Sequence, residues 1–317
     1  NGMEVTTNHW KQIKNGRNSQ VYLIEHKKNK FILKRYHEYK RDQRNRLKNE
    51  FGFLSFLKKN NIKFVADPIA FDSEKNLGLF SYIPGERPDQ INQDLISQAC
   101  DFIRKINNPK LRQTKVPFPE ASEACFSILS HIKCVKKRVV RLIEIAPNNP
   151  IEDEVVKFVD SCLKSSLDDI TNNILEKYSE KNLKKKLSKE SKVLSPSDFG
   201  FQNTLIYNKA VHFLDFEYAG IDDPAKLICD FGCHPEIPIK SQYLEKFKDS
   251  FYLWLDDAEN LIKRSEILMP LYRLKWSCIM LNEFTPAGRF RRSHAGEILN
   301  YEGQLQKSKN YFAKHLN

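Results

Sequence analysis

Ser195-Pro196-Ser197-Asp198-Phe199-Gly200-Phe201-Gln202-Asn203 runs into Leu205-Ile206-Tyr207, and then through Phe213-Leu214-Asp215-Phe216-Glu217 to Asp222-Asp223-Pro224. Thr204 to Tyr207 and Val211 to Leu214 flank the turn pair Asn208-Lys209, the pattern of a short hairpin. Such a hairpin joins two loops, one carrying Asp198 and Asn203 and the other Asp215. Three side-chain oxygens gathered this way suit Mg²⁺ and phosphate chemistry, because Mg²⁺ prefers hard oxygen ligands and takes one or two carboxylates with substrate phosphates. The plainer reading is an Asp-rich loop whose carboxylates cap turns and helix starts. Asp223, directly before Pro224, fits that description best. Glu217 has two readings, metal contact or a brace for the loop, and the second is favoured.

Upstream of this segment the pattern is strand-like. Trp10 to Ile13 and Val21 to Ile24 flank Asn15-Gly16-Arg17-Asn18, and Lys27 to Lys30 turns the chain into Phe31-Ile32-Leu33-Lys34-Arg35-Tyr36. A lysine in a strand usually lies on the exposed face of an edge. The functional alternative is that Lys34 holds nucleotide phosphates. Arg41 to Lys59 has helical spacing at Leu47, Phe51, Leu54 and Leu57, with Glu50 beside the stripe, placed either as a solvated carboxylate or as the partner of Lys34. Phe64 to Phe71 and Leu77 to Ile83 complete a five-stranded sheet with one helix. Pro84-Gly85-Glu86 then reads as a linker, giving an expected division into residues 1–83 and 84–317.

Beyond the linker the periodicity turns helical: Gln90 to Ile106, Glu120 to Ile145 and Ile151 to Tyr178, then, after the hairpin, Tyr243 to Leu255, Ala258 to Phe284 and about Ala295 to His315. Arg289, Arg291 and Arg292 are expected in a short loop. At 317 residues two lobes are more plausible than one core, since single cores rarely grow past roughly 250–300 residues. No apolar run is long enough for a membrane helix, and Asn1-Gly2-Met3-Glu4 lacks an apolar signal core, so a cytoplasmic protein is expected. The seven cysteines are scattered through apolar patterns, as reduced thiols are. Cys229, Cys233 and His234 cluster, but lack a fourth zinc ligand and read as core packing. The net charge of +12 is dispersed along the chain without interleaved aromatics, which disfavours a nucleic-acid surface.

The order of elements resembles the aminoglycoside phosphotransferase and choline kinase family, small-molecule kinases with a protein-kinase-like fold. The resemblance rests on Gly16 to Asn18, Lys34, Glu50 and above all Ser195 to Pro224. The family's His-Gly-Asp, four residues, Asn is matched by Pro196-Ser197-Asp198, Phe199 to Gln202 and Asn203. Its metal segment is matched by Leu214-Asp215-Phe216-Glu217 and Asp222-Asp223-Pro224. Pro196 and Ser197 depart from the pattern, replacing the loop His and Gly.

The resemblance implies an α+β, two-lobed protein-kinase-like fold with a small β-rich N-lobe and a larger helical C-lobe carrying a catalytic hairpin. It implies Asp198 as catalytic base, Asn203 and Asp215 as Mg²⁺ ligands, and Lys34, braced by Glu50, on the nucleotide phosphates. Gly16, Arg17 and Asn18 would cap those phosphates, and Ser81, Tyr82 and Ile83 would meet the adenine. The expected activity is transfer of the γ-phosphate of ATP, or of GTP, to a hydroxyl of a small molecule. The acceptor would be a sugar, a nucleoside or an amino alcohol. The alternative is a catalytically silent member of the fold that binds nucleotide or a partner, since the loop His is missing. Arg273, Lys275, Arg289, Arg291 and Arg292 argue against a cationic acceptor if they face Asp198.

Overall fold

Alternating apolar residues in five short segments between Trp10 and Ser81 form a sheet whose inner face needs a cover, and the helix that follows the third strand supplies it. The computed structural model describes residues 10–13, 19–37, 44–113, 118–296 and 300–316. Strands β1 (Trp10–Ile13), β2 (Ser19–His26), β3 (Asn29–Tyr36), β4 (Pro68–Asp72) and β5 (Leu77–Ser81) pair antiparallel in the order β1-β2-β3-β5-β4. β3 is therefore central, with Lys34 opposite Val21 on one side and Gly78 on the other. The exposed-edge reading of Lys34 fails on this topology. Helix α1 (Arg46–Lys59) starts at Asn45, whose side chain accepts from the Lys48 N–H at 2.8 Å. Its buried stripe is Leu47, Glu50, Phe53, Leu54 and Leu57, so helical spacing turns Glu50 inward with the core residues.

The chain then passes through Pro84-Gly85-Glu86, where Glu86 and Ile206 exchange backbone hydrogen bonds of 3.3 and 2.7 Å. A Cβ on Gly85 would lie 2.8 Å from the Ile206 carbonyl oxygen, so this close approach requires glycine. The linker thus lies against the 204–213 hairpin through an isolated antiparallel bridge at Glu86 and Ile206.

The remainder is mostly helical: α2 (Gln93–Ile106), α3 (Pro109–Gln113), α4 (Ile128–Ile143), α5 (Pro150–Phe158), α6 (Ser165–Lys177) and α7 (Glu180–Lys184) precede the hairpin segment. A π-helical turn, Val159–Lys164, joins α5 to α6, so the expected run from Ile151 to Tyr178 is one continuous element. α4 begins at 128 and not 120 because Ser127 and Ser130 form a capping box there. β6 (Val193–Ser195) pairs with β9 (Gly220–Asp222), and β7 (Thr204–Tyr207) with β8 (Ala210–Phe213). Asn208 and Lys209 turn with φ of 49° and 64°, the mirror-image geometry that a two-residue hairpin favours.

After β9 come α8 (Pro224–Cys233), α9 (Ser241–Asp249), α10 (Ala258–Met280), α11 (Pro286–Ala295) and α12 (Tyr301–Leu316). α10 packs against α4, α8 and α12. The loop expected at Arg289 to Arg292 is instead helix α11, capped by Thr285 before Pro286 and ended by Gly296 at φ 76°. No described helix is long and apolar enough to cross a membrane.

A column of aromatic rings anchors the hairpin. Phe102 stacks on Phe213 at 4.3 Å, Phe199 on Phe231 at 5.4 Å, and Phe231 on Phe247 at 4.0 Å. Phe53 of α1 stacks on Phe216 at 4.9 Å, which ties the N-lobe to the loop bearing Asp215. Each buried ring contributes about 1.5–3 kcal/mol from area and each good pair about 0.5–1.5 more, so the loops rest on a rigid base.

Candidate active site

Lys34 extends from the central strand to Glu50, at 2.7 and 3.0 Å from its two oxygens, and to Asp215 Oδ1 at 3.0 Å. Tyr36, two residues along the same face, donates its hydroxyl to Glu50 Oε2 at 2.6 Å. Burial alone would lower the lysine's pKa, but the Asp215 and Glu50 carboxylates more than offset it and leave it raised. Lys34 is a fixed cation at the lobe boundary. Burial raises the Glu50 pKa, against the opposing pull of the Lys34 ammonium.

Across the boundary, Asp198 takes hydrogen bonds from Gln202 Nε2 to Oδ1 at 3.3 Å and from Asn203 Nδ2 to Oδ2 at 3.2 Å. The same Asn203 nitrogen reaches the Asp198 carbonyl at 2.9 Å. Burial, with Asp215's negative charge adding to it, pushes the Asp198 carboxyl up to about 6. Its side chain keeps 34% of its surface, so it is reachable at the floor of the cleft. Leu214 N–H donates to the Asn203 carbonyl at 2.9 Å, which clips the two loops together.

Asp215 sits at φ 65°, a conformation that costs a non-glycine residue about 1–3 kcal/mol and recurs where a side chain must be aimed at a ligand. Asn49 of α1 holds the following turn through the carbonyls of Glu217 at 3.0 Å and Ala219 at 2.8 Å. With its nitrogen committed to Asp198, Asn203 offers its amide oxygen to a cation. Asp215 adds a carboxylate with 36% of its side chain exposed. Among the described residues no group of three or more His, Cys, Asp or Glu is placed to hold a metal ion. The donor set is one amide oxygen and one carboxylate. It fits Mg²⁺, which completes its shell from water and substrate phosphate, better than a metal that needs a full protein cage.

The other expected residues divide. Ser81 donates its backbone N–H to the Asp67 carbonyl at 2.9 Å, and its hydroxyl accepts the Asp67 backbone N–H at 2.8 Å; the Tyr82 ring lies 5.9 Å from the Lys30 ammonium, and Ile83 is buried beside the linker. Gly16, Arg17 and Asn18 lie outside the described residues. Asp223 is a cap: it accepts from Ala225 N–H at 2.8 Å and is buried between His131 at 3.0 Å and Arg264 at 2.8 Å. Glu217 is enclosed between Ser19 at 3.5 Å and Arg46 at 3.8 Å, its carboxyl pushed up to about 7 by burial and by Asp215.

Four of the five basic residues singled out in the C-terminal region are engaged by other groups. Arg289 pairs with Glu152 at 2.6 Å, Arg292 with Glu283 at 3.1 Å and Lys275 with Asp230 at 3.0 Å, while Arg273 reaches the His315 carbonyl at 3.4 Å. Lys275 nevertheless lies near enough for its charge to stabilise the Asp198 anion, so pairing weakens the argument against a cationic acceptor without removing it.

Sequence reading missed three supports. Lys226 lies behind the catalytic loop, donating to Asp222 Oδ2 at 2.6 Å and to Ser197 Oγ at 3.1 Å. Asn49 had no signal beyond its place one residue before Glu50. His234, grouped with Cys229 and Cys233 as core, is buried as they are, but its Nε2 also lies 3.8 Å from Asp198 Oδ1.

The model of the phosphotransferase enzyme family matches residues 9–235. The chain belongs to that family. Similar solved structures include choline kinase from Cryptosporidium parvum Iowa II, 14% identical over 98% of this chain and 92% of that one, with a TM-score of 0.58. Plasmodium vivax ethanolamine kinase is 14% identical over 100% of this chain and 84% of its own, with a TM-score of 0.61. The spectinomycin phosphotransferase solved with ADP and spectinomycin is 13% identical over 100% and 91%, with a TM-score of 0.60. These likenesses show the two-lobed kinase fold. No curated protein sequence matches the chain.

Proposed function

We propose that this phosphotransferase moves the γ-phosphate of ATP to a hydroxyl of a small molecule, with residues 1–83 as the nucleotide lobe and 84–317 as the catalytic and acceptor lobe. The observation that carries the reading is the meeting of Lys34, Glu50 and Asp215 within 3.0 Å across the lobe boundary, beside a part-buried Asp198 whose pKa is raised. A capping loop would need no cation reaching it from a distant strand. Metal binding falls to Asn203 and Asp215, and bound Mg²⁺ would offset the negative charge of the phosphates. Lys34 orients the α- and β-phosphates while Glu50 and Tyr36 hold its ammonium in place. Asp198 accepts a hydrogen bond from the acceptor hydroxyl, aligns it for attack and takes its proton as the new P–O bond forms and the bond from the γ-phosphorus to the β–γ bridging oxygen breaks, releasing ADP.

The mechanistic groups survive the loss of the loop His and Gly, which favours activity over silence. Ser197 occupies the loop's left-handed position at φ 69°, and its hydroxyl is held by Lys226. The named relatives act on choline, ethanolamine and spectinomycin, so the acceptor is sought among amino alcohols, amino sugars, sugars and nucleosides. The seven free thiols suit the reducing cytoplasm, where ATP is available.

The test is ADP release with Mg·ATP and that panel, with Asp198→Asn as control. Turnover on at least one acceptor is expected, falling about 10²–10⁴-fold in the variant. Because the fold disfavours the Asp198 anion, the variant should melt no lower than the parent at pH 8. Absence of turnover together with absence of Mg·ATP binding by calorimetry would refute the proposal.

A further inference from the structure

Pro196 stands where the family pattern has a histidine, and a proline brings neither a side-chain donor nor a backbone N–H to the catalytic loop. An imidazole reaches Asp198 from another part of the chain. His234 ends α8, and its Nε2 lies 3.8 Å from Asp198 Oδ1. Its Nδ1 accepts the Glu236 backbone N–H at 3.3 Å, which places the ring hydrogen of the neutral imidazole on Nε2, the nitrogen facing Asp198. The ring is 7% exposed and packs edge-on against Trp276, with centroids 4.3 Å apart at 67°. Trp276 is fixed in turn by its Nε1–H to Asp230 Oδ1 at 3.2 Å, and Asp230 by Lys275 at 3.0 Å. Tautomer, ring plane and position are thus all set by neighbours.

We propose that His234 is a positioning residue for phosphoryl transfer: its Nε2–H orients the Asp198 carboxylate, doing from the end of α8 what Pro196 cannot do from the loop. The role rests on the kinase reading above. A separation of 3.8 Å is longer than a hydrogen bond, and contacts of catalytic groups commonly tighten once substrates are bound. Gln202 and Asn203 hold the carboxylate from its own loop, while His234 adds a donor from outside it, and the Lys275 ammonium adds a stabilising charge from α10.

The experiment combines ¹⁵N-histidine NMR of the full chain with kinetics of His234→Leu and His234→Gln. Glutamine keeps an N–H donor near the position of Nε2; leucine keeps only bulk. The signals lost in His234→Gln identify the ring among the eight histidines. The wild-type ring should show the Nε2–H tautomer, and its Nε2 signal should move in Asp198→Asn. In leucine kcat should fall about 10- to 100-fold with KM for ATP unchanged, and glutamine should recover most of that loss. An Nδ1–H tautomer, a signal indifferent to Asp198→Asn, or equal kcat in leucine, glutamine and wild type would overturn the role. If the leucine variant fails to fold, the wild-type spectra and the glutamine variant decide. No transfer by the wild type overturns the kinase reading and the role with it, whereas indifferent spectra in an active enzyme overturn the role alone.

Discussion

Lys34 and Lys226 are both buried ammonium groups set between two carboxylates, yet only Lys34 borders the cleft. Lys34 keeps 14% of its side-chain surface and its partner Asp215 keeps 36%. Lys226 keeps 1%, Asp222 none and Asp230 5%. In both clusters burial would lower the lysine's pKa and the flanking carboxylates raise it instead. The chemistry of the residues is the same; access separates their uses. An open cluster can exchange a carboxylate partner for a phosphate, while a sealed one can only hold its neighbours in place. Here the sealed cluster holds Ser197 in its left-handed conformation, one residue before Asp198.

That contrast can be broken by removing each lysine. Lys226→Ala should be the costlier change to the fold, losing about 3–5 kcal/mol, because Asp222 and Asp230 stay buried with one counter-charge fewer. Urea unfolding followed by fluorescence measures it, and a loss under about 1 kcal/mol would mean that water or repacking replaces the ammonium. Lys34→Ala should act chiefly on turnover, lowering kcat/KM about 10²–10³-fold, the scale of removing one preorganised donor from developing charge. Its urea midpoint should fall less than that of Lys226→Ala, since Glu50 can take up a proton and keeps its bond from Tyr36. Equal activity losses in the two variants would erase the distinction.

The smallest expected effect sharpens the same contrast through pH. Asp198 must be unprotonated to accept a proton, and its pKa is raised to about 6 by burial and by Asp215. kcat/KM should therefore be flat above pH 7 and fall about tenfold per unit below pH 6. In Asp215→Asn, which removes the nearby negative charge, the acid limb of any residual activity should shift downward. For stability the sign is opposite. The folded pKa exceeds the ordinary value of about 3.9, so Asp198's contribution to folding declines as pH rises from about 4 to 6, and it is absent from Asp198→Asn.

Much of the site was legible because its residues lie close together in sequence. Asp198, Asn203 and Asp215 fall within eighteen positions joined by a two-residue turn, and hydrophobic alternation sets that hairpin's register. Lys34 and Glu50 were legible as a pair because each lies on a periodic element. The helix at Pro286 to Ala295 was missed although Thr285-Pro286 and Gly296 mark its two ends; its charged, weakly apolar run hid the period. The basic residues were misjudged for a different reason. Sequence shows that Arg289 and Lys275 are cations, but whether they face a substrate or the carboxylates of Glu152 and Asp230 depends on helix packing.

Local pattern thus specified the strands and most of the helices, since periodicity and turn residues act over a few positions along the chain, while the reaction chemistry came from the motifs' resemblance to the family. Tertiary structure alone determined that Lys34 is central and reaches Asp215, that Lys226 is sealed beneath Ser197, and that His234 faces Asp198. Each of those contacts joins residues that are remote in sequence or lie on separate elements, and burial, which sequence does not encode residue by residue, sets both their charge state and their access to a ligand.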